Sequence, residues 1–333
     1  MKEDDALKVL VTGADGMLGS YTVHELLERG YAVRALVQPG SESPTLDDLP
    51  VERFPGDLLD AEAMRKAVAG CRRVIHSAAV TDLRGNADRI WKINLDGTRH
   101  VMDAAEAAGV ERVVFVGSAS SFQFGTRENP PEECGEFPPE YRGVAYMESK
   151  RQAALMVRER VRRGRLNAVV AAPTFLVGGY NFRPGSSALV RGFMLGKLRV
   201  ASPGGRNFAY AGDVAHGLVN ALEQGRAGEF FFLGGENLTY AEFLGKIARV
   251  AGRPEPWFTL PEVAVRAVGL GASCFETLTG KQVELNNLIA RMSVLSAYYS
   301  SAKAIRELDL PQTPIETAID ESIAGLRKYG HLT

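Results

Sequence analysis

Short apolar runs alternate with helical patterns along the first half of this chain, and that alternation restricts it to very few architectures. Lys8–Val11 reads as a strand ending at Thr12-Gly13, and Leu18–Arg29 as a helix stopped by Gly30. Ala32–Val37 and Val51–Phe54 are two further strands, and Asp60 is placed to cap a helix that stops at Gly70. Arg73–Ser77, Arg112–Val116 and Asn167–Ala171 continue the series as strands, separated by helices over Asp88–Ala108 and Tyr146–Arg163. Alternation of this kind implies parallel strands joined by right-handed crossovers, so the fold class is α/β with a doubly wound parallel sheet. After Pro173 the pattern loosens. Gly178–Gly205 is rich in Gly, Pro, Ser and Arg, Phe230–Leu233 reads as one more strand, and helices follow over Tyr240–Ala251, Glu262–Val268 and Leu285–Leu295 and near the C-terminus. The expected organisation is a main domain over residues 1–173 and a smaller, mainly helical lobe over 174–333 that returns the 230–233 strand to the main sheet.

The chain has 333 residues, enough for a main domain and a second lobe. Its net charge of −1 gives no electrostatic case for nucleic acid or an anionic membrane. Cys71, Cys134 and Cys274 are far apart, which speaks against a disulfide framework or a structural zinc, and the scattered histidines suggest no metal site. The opening MKEDDALKVLVTG contains no signal-peptide core, and no run approaches the roughly 18 apolar residues of a membrane span. Pro261–Gly280 is apolar in places, but Glu262, Arg266 and Glu276 interrupt it, and it reads as a packed helix. A cytoplasmic protein with no nucleic-acid or membrane partner is the expectation.

Three motifs carry chemistry. Thr12-Gly13-Ala14-Asp15-Gly16-Met17-Leu18-Gly19 lies between a strand and a helix, where backbone N–H groups and the helix N-terminus meet a dinucleotide pyrophosphate. Tyr146 and Lys150 stand four apart and share one helix face. A cation there lowers the phenol toward acid–base work, although the same spacing is also that of a plain surface pair. Val116-Gly117-Ser118-Ala119-Ser120-Ser121 ends a parallel strand at the edge where ligands bind, and reads equally as a strand-end turn capped by serines.

Taken with Gly56-Asp57-Leu58, His76-Ser77-Ala78-Ala79, Asn94-Leu95-Asp96-Gly97-Thr98, Pro173-Thr174-Phe175 and Asp213-Val214-Ala215, these motifs resemble the extended short-chain dehydrogenase/reductases. Dihydroflavonol-reductase-like and sugar-nucleotide-epimerase-like members are among them. The resemblance spans nearly the whole chain and implies a Rossmann-type domain. It implies a catalytic set of Ser118, Tyr146, Lys150 and Asn94. Tyr146 would be the proton donor or acceptor, and Lys150 would hold the nicotinamide ribose and depress the tyrosine. Ser118 would orient the substrate oxygen, with Ser120 as alternate, and Asn94 would support the site from its helix. The cofactor path would run along Gly13, Asp15, Gly16, Met17, Leu18, Gln38, Asp57, Leu58, Ala78, Ala79, Pro173 and Phe175, with Asp57 accepting from the adenine amino group. The implied activity is NAD(P)-dependent interconversion of a secondary alcohol and a ketone in a small-molecule substrate. The alternatives are a nucleotide-sugar epimerase or dehydratase and a non-catalytic dinucleotide sensor. A homodimer through the helices Asp88–Ala108 and Tyr146–Arg163 is implied as well.

The end of the second strand, Val37-Gln38, lacks the acid that usually binds the ribose 2′-OH of NAD and also lacks an arginine for the 2′-phosphate of NADP. Arg34 is nearby, but strand alternation points it away. Absence of the carboxylate favours NADP over NAD. Arg206 reads either as a contact for a substrate phosphate or as a local partner of Asp213. The loop Glu128–Arg142 is either a lid or a solvated acidic loop, and Tyr180, Phe182 and Arg183 are candidates to line the substrate pocket.

Overall fold

A computed structural model of the chain describes residues 7–332 except Glu133, Pro184, Ser186, Gln282 and Glu284. Its first half runs β1 (Lys8–Thr12), α1 (Met17–Glu28), β2 (Ala32–Val37), β3 (Glu52–Pro55), α2 (Ala61–Val68) and β4 (Arg73–His76). It continues through α3 (Ala87–Trp91), a π-helical stretch Lys92–Gly97, α4 (Thr98–Ala107), β5 (Arg112–Val116), α5 (Ala145–Arg162) and β6 (Ala168–Pro173). Then come β7 (Phe175–Val177), α6 (Ala188–Met194), β8 (Gly205–Tyr210), α7 (Ala211–Glu223), β9 (Phe230–Leu233), β10 (Glu236–Thr239) and α8 (Tyr240–Ala251). The last elements are α9 (Glu262–Thr279), α10 (Asn287–Ser293), β11 (Ser296–Ala297), α11 (Ala302–Leu308) and α12 (Ile315–Lys328).

Seven parallel strands form the main sheet in the order β3-β2-β1-β4-β5-β6-β9. Side-chain alternation along these strands feeds two cores. Leu10, Val74, Val113 and Phe115 face α2, α4 and α5, while Val9, Val11, Ile75 and Val114 face α1 and α7. The chain leaves β1 toward β2 and returns to β4 on its other side. That reversal opens a crevice at the C-terminal ends of β1 and β4.

Asp60 caps α2 as expected, accepting from the N–H groups of Glu62 and Ala63. Two expectations need correction. The helix over Asp88–Ala108 runs without a break, but a π-helical stretch joins α3 to α4 where a uniform α-helix is expected. The second half also contains a small sheet in which β8 pairs with β7, β10 and β11. Its central strand buries Arg206 and Asn207, so no apolar alternation marks it in the sequence.

Pro261–Gly280 is a packed helix as read, but packed on one side only, against α10. Only Val265 and Gly269 of α9 are buried, while Val263, Val268, Leu270, Phe275 and Leu278 lie exposed. Leaving such a side chain in water forgoes about 1.5–3 kcal/mol of burial energy each. No helix among the described residues is long and apolar enough to cross a membrane.

Candidate active site

The glycine loop is shaped by what surrounds it. Gly13 has φ 67°, and a Cβ there would stand 2.8 Å from the backbone of Ala78, so the loop after β1 rests directly on the segment after β4. A Cβ on Gly19 would fall 1.9 Å from the carbonyl oxygen of Gly13. At Gly16 the nearest atom to a Cβ is that same oxygen, 3.4 Å away. Gly16 is the N-cap of α1 and no side chain caps the helix, which leaves its first-turn N–H groups available to an anion. Residues Gly13, Gly16, Met17 and Leu18 thus fit a dinucleotide phosphate, with Ala78 and Ala79 beside them.

Hydrogen bonds fix this floor. The Ala78 N–H donates to Thr12 Oγ1 at 3.2 Å. Thr12 Oγ1 and Thr98 Oγ1 lie 2.7 and 2.9 Å from Nδ1 and Nε2 of His76. Burial, then the charge of Lys150, holds His76 down to about 3. A neutral ring accepting at Nδ1 and donating at Nε2 satisfies every member of this chain. Thr98 in turn donates to the carbonyl of Asn94 at 2.7 Å, filling an acceptor in the π-helical stretch.

Asn94 is fully buried. Its Oδ1 accepts from Val80 N at 2.8 Å, and its Nδ2 donates to Val80 O at 3.0 Å and to Ser149 Oγ at 3.1 Å. Its amide therefore ties the segment that follows β4 to α5 and acts as a positioning group.

Ser118 follows β5, is buried, and sets its hydroxyl beside the phenol of Tyr146 on α5, where it favours the phenolate. Of the two candidate serines, Ser118 is the one that meets the tyrosine. Lys150, one turn further on α5, is buried, donates from Nζ to Val116 O at 2.5 Å and lies 4.6 Å from the centre of the Phe115 ring. Burial lowers its ammonium to about 7. The phenol of Tyr146 is shifted opposite to the expected direction. Burial raises it, and the Ser118 hydroxyl only partly offsets this.

Tyr146 packs in an apolar cluster with Tyr141, Val144 and Met147, bordered by Leu83, Phe124 and Phe137 and by Leu288 and Met292 of α10. The loop Glu128–Arg142 is pinned rather than free over its described residues. Tyr141 is buried, Gln123 N donates to Glu136 O, and Arg151 donates to Gly135 O. Pro173 is buried at the end of β6, and Phe175 on β7 packs edge-on against Phe208.

Tyr180 and Phe182 sit away from the Tyr146 cluster, and Gln38, Asp57 and Leu58 lie just past the ends of β2 and β3. Arg206 donates to the carbonyls of Gly205, Leu295 and Met292, so it is unavailable to a phosphate, and Asp213 accepts from Thr313 instead. Asp57 is exposed and accepts from Leu59 N at 2.9 Å, while Leu58 lies against Gly97. Gln38 is exposed and its carbonyl closes a turn onto Ser41, and Arg34 points away to Glu52 and Ala67 O. Tyr180 stacks on His24 of α1, and Phe182 meets Tyr329, so neither lines the Tyr146 cluster.

Arg183 was not among the expected cofactor contacts. Its Nη1 pairs with Asp15 of the glycine loop at 2.9 Å, and its Nη2 donates to Glu42 O at 3.0 Å. Arg183 and Asp15 are 168 positions apart, so no local spacing could have signalled the contact. Among the described residues no group of three or more His, Cys, Asp or Glu could hold a metal ion.

Known proteins share this arrangement. The chain is 30% identical over 328 residues to "Sterol demethylase protein B" of Methylococcus capsulatus, covering 97% of this chain and 99% of that one. It is 27% identical to "Putative dihydroflavonol 4-reductase" of Synechocystis, covering 97% and 95%. The crystal structure of gox2253 superposes with a TM-score of 0.85 at 28% identity, covering 98% of this chain and all of that one. The family model described as "NAD dependent epimerase/dehydratase family" matches residues 9–234, which takes in the glycine loop, Ser118, Tyr146 and Lys150, and the chain belongs to that family.

Proposed function

We propose that this protein is an NAD(P)-dependent oxidoreductase that interconverts a secondary alcohol and a ketone in an apolar substrate. The observation that carries the reading is the phenol of Tyr146, set beside the Ser118 hydroxyl and within an apolar cluster. When bound, the nicotinamide supplies or accepts the hydride. Tyr146 gives its phenolic proton to the substrate oxygen in reduction and recovers it in oxidation. Ser118 orients that oxygen by hydrogen bonding. Lys150 places a cation beneath the site, and the apolar walls exclude water from it.

Arg206 supports this choice over a nucleotide-sugar epimerase, because its hydrogen bonds go to three backbone carbonyls and its guanidinium lies over the Tyr240 ring. The names of the related sterol and flavonol proteins point to apolar substrates as well.

NADP(H) is the proposed cofactor form. Val37 and Gln38 offer no carboxylate to a ribose 2′-OH, and Arg183 brings a guanidinium to the loop that follows β2.

The test is a panel of apolar ketones, with nucleotide sugars as the rival arm. The expected outcome is ketone turnover that Tyr146→Phe lowers by about 10²–10⁴-fold while NADPH binding, followed by nicotinamide fluorescence, is unchanged. Full activity in Tyr146→Phe, or turnover of nucleotide sugars alone, would sink the reading.

A further inference from the structure

The outward side of α9 is apolar along its whole length. Val263, Ala267, Leu270, Cys274 and Leu278 recur at helical spacing and are all exposed, with Val263 at 79% and Leu278 at 86%. The inward side rests on α10. A Cβ on Gly269 would fall 2.3 Å from Cβ of Ala290, and Ser273 Oγ accepts from Asn287 N at 2.9 Å. Leu288 and Met292 of α10 in turn border the cluster that holds Tyr146. One helical pair therefore shows an unpartnered apolar face outward and a wall of the candidate active site inward.

We propose that the outward face of α9 docks on a phospholipid bilayer, the phase from which an apolar substrate reaches Tyr146; the delivery role rests on the function proposed above, the docking does not.

Charge and area favour this occupant. Arg266 pairs with Glu262 at 2.6 Å and Glu276 with Arg84 at 3.3 Å, so the charges of α9 are paired within the chain, and the exposed Glu262–Arg266 pair flanks the apolar stripe without adding net charge to it. Such a face matches a neutral lipid interface and offers nothing to a charged macromolecule. A helix of this length presents a strip of about 27 Å by about 10 Å. Even at twice that width, which takes in the exposed Val268 and Phe275, it falls short of the roughly 800 Å² per partner that a stable dimer buries. An amphipathic helix lying in the headgroup boundary needs no more than this strip. The homodimer implied by the family resemblance would use α3 to α5, which leaves α9 uncovered.

The experiment is flotation of the full chain with phosphatidylcholine vesicles, compared with the double variant Val263→Glu/Leu278→Glu. Both sites are exposed, so an unchanged melting temperature checks that the variant is folded. The expected result is co-flotation that persists at about 0.5 M salt and falls at least about tenfold in the variant. Vesicles should also protect Cys274, and not Cys134, from a water-soluble maleimide. The proposal is overturned if the wild type does not float, if the variant floats equally well, or if the variant only splits a dimer. Flotation without ketone turnover overturns the proposed function and leaves the docking standing, whereas turnover without flotation does the reverse.

Discussion

Lys150 is a buried ammonium with one hydrogen bond, and its titration is a property of the fold. It titrates at about 7 in the folded chain against 10.5 when unperturbed. Between those values the unfolded chain binds the extra proton, so stability rises with pH across that window. The melting temperature of the cofactor-free protein should therefore climb from about pH 7 to about pH 10 more steeply than that of Lys150→Met. Parallel curves for the two would show that Lys150 is not desolvated as described. The choice between Ser118 and Ser120 was open in the sequence because both follow the same strand, and the contact that decides it lies across the fold on α5. The direction of the Tyr146 shift was hidden for a similar reason. The spacing to Lys150 is local, but the burial that outweighs it is supplied by distant side chains such as Phe124 and Met292.

The π-helical stretch Lys92–Gly97 marks where one element does two jobs. It continues the helical layer over the sheet and also turns the amide of Asn94 onto both backbone groups of Val80. Asn94→Ala would leave that N–H and C=O without their partner, at a cost of about 2–4 kcal/mol in urea unfolding. Ser149→Ala removes two hydrogen bonds, from Asn94 Nδ2 and to Tyr146 O, but leaves both Val80 groups paired, and should cost about 1 kcal/mol. Equal costs would mean that Val80 finds other partners. Strands of the main sheet were legible almost to the residue because their alternation is bounded by glycines and prolines. The small sheet was not, since β8 takes its partners from β10 and from β11 about 90 residues further along the chain. The exposed face of α9 was visible as an apolar run, but a sequence alone does not say which side of a helix finds a partner.

At the scale of the molecule, the reversal of strand order beside β1 brings the glycine loop and Ala78 together, and the second half closes over them. Tyr21 of α1 donates to Glu321 of α12, which also accepts from Tyr210 at 2.8 Å, and Gly179 N donates to Tyr21 Oη at 2.7 Å. Arg183 completes the closure at Asp15. In Arg183→Gln, NADPH binding should weaken about tenfold while NADH changes less than about twofold, each measured by fluorescence titration. An equal loss for both would assign Arg183 to the shared phosphates and remove the support for NADP(H).

Arg206 has a wider consequence. A cation bonded to three carbonyls holds the Met292–Leu295 segment in place, so the wall beside Tyr146 is stiff and made of hydrocarbon. Hydrocarbon walls sort molecules by bulk, and one methylene more or less alters turnover by only about 10–200-fold. Under the function proposed above, an enzyme built this way would be a generalist within a size class. Its repertoire would be narrowed in the cell by which greasy compounds are present, more than by anything the pocket refuses.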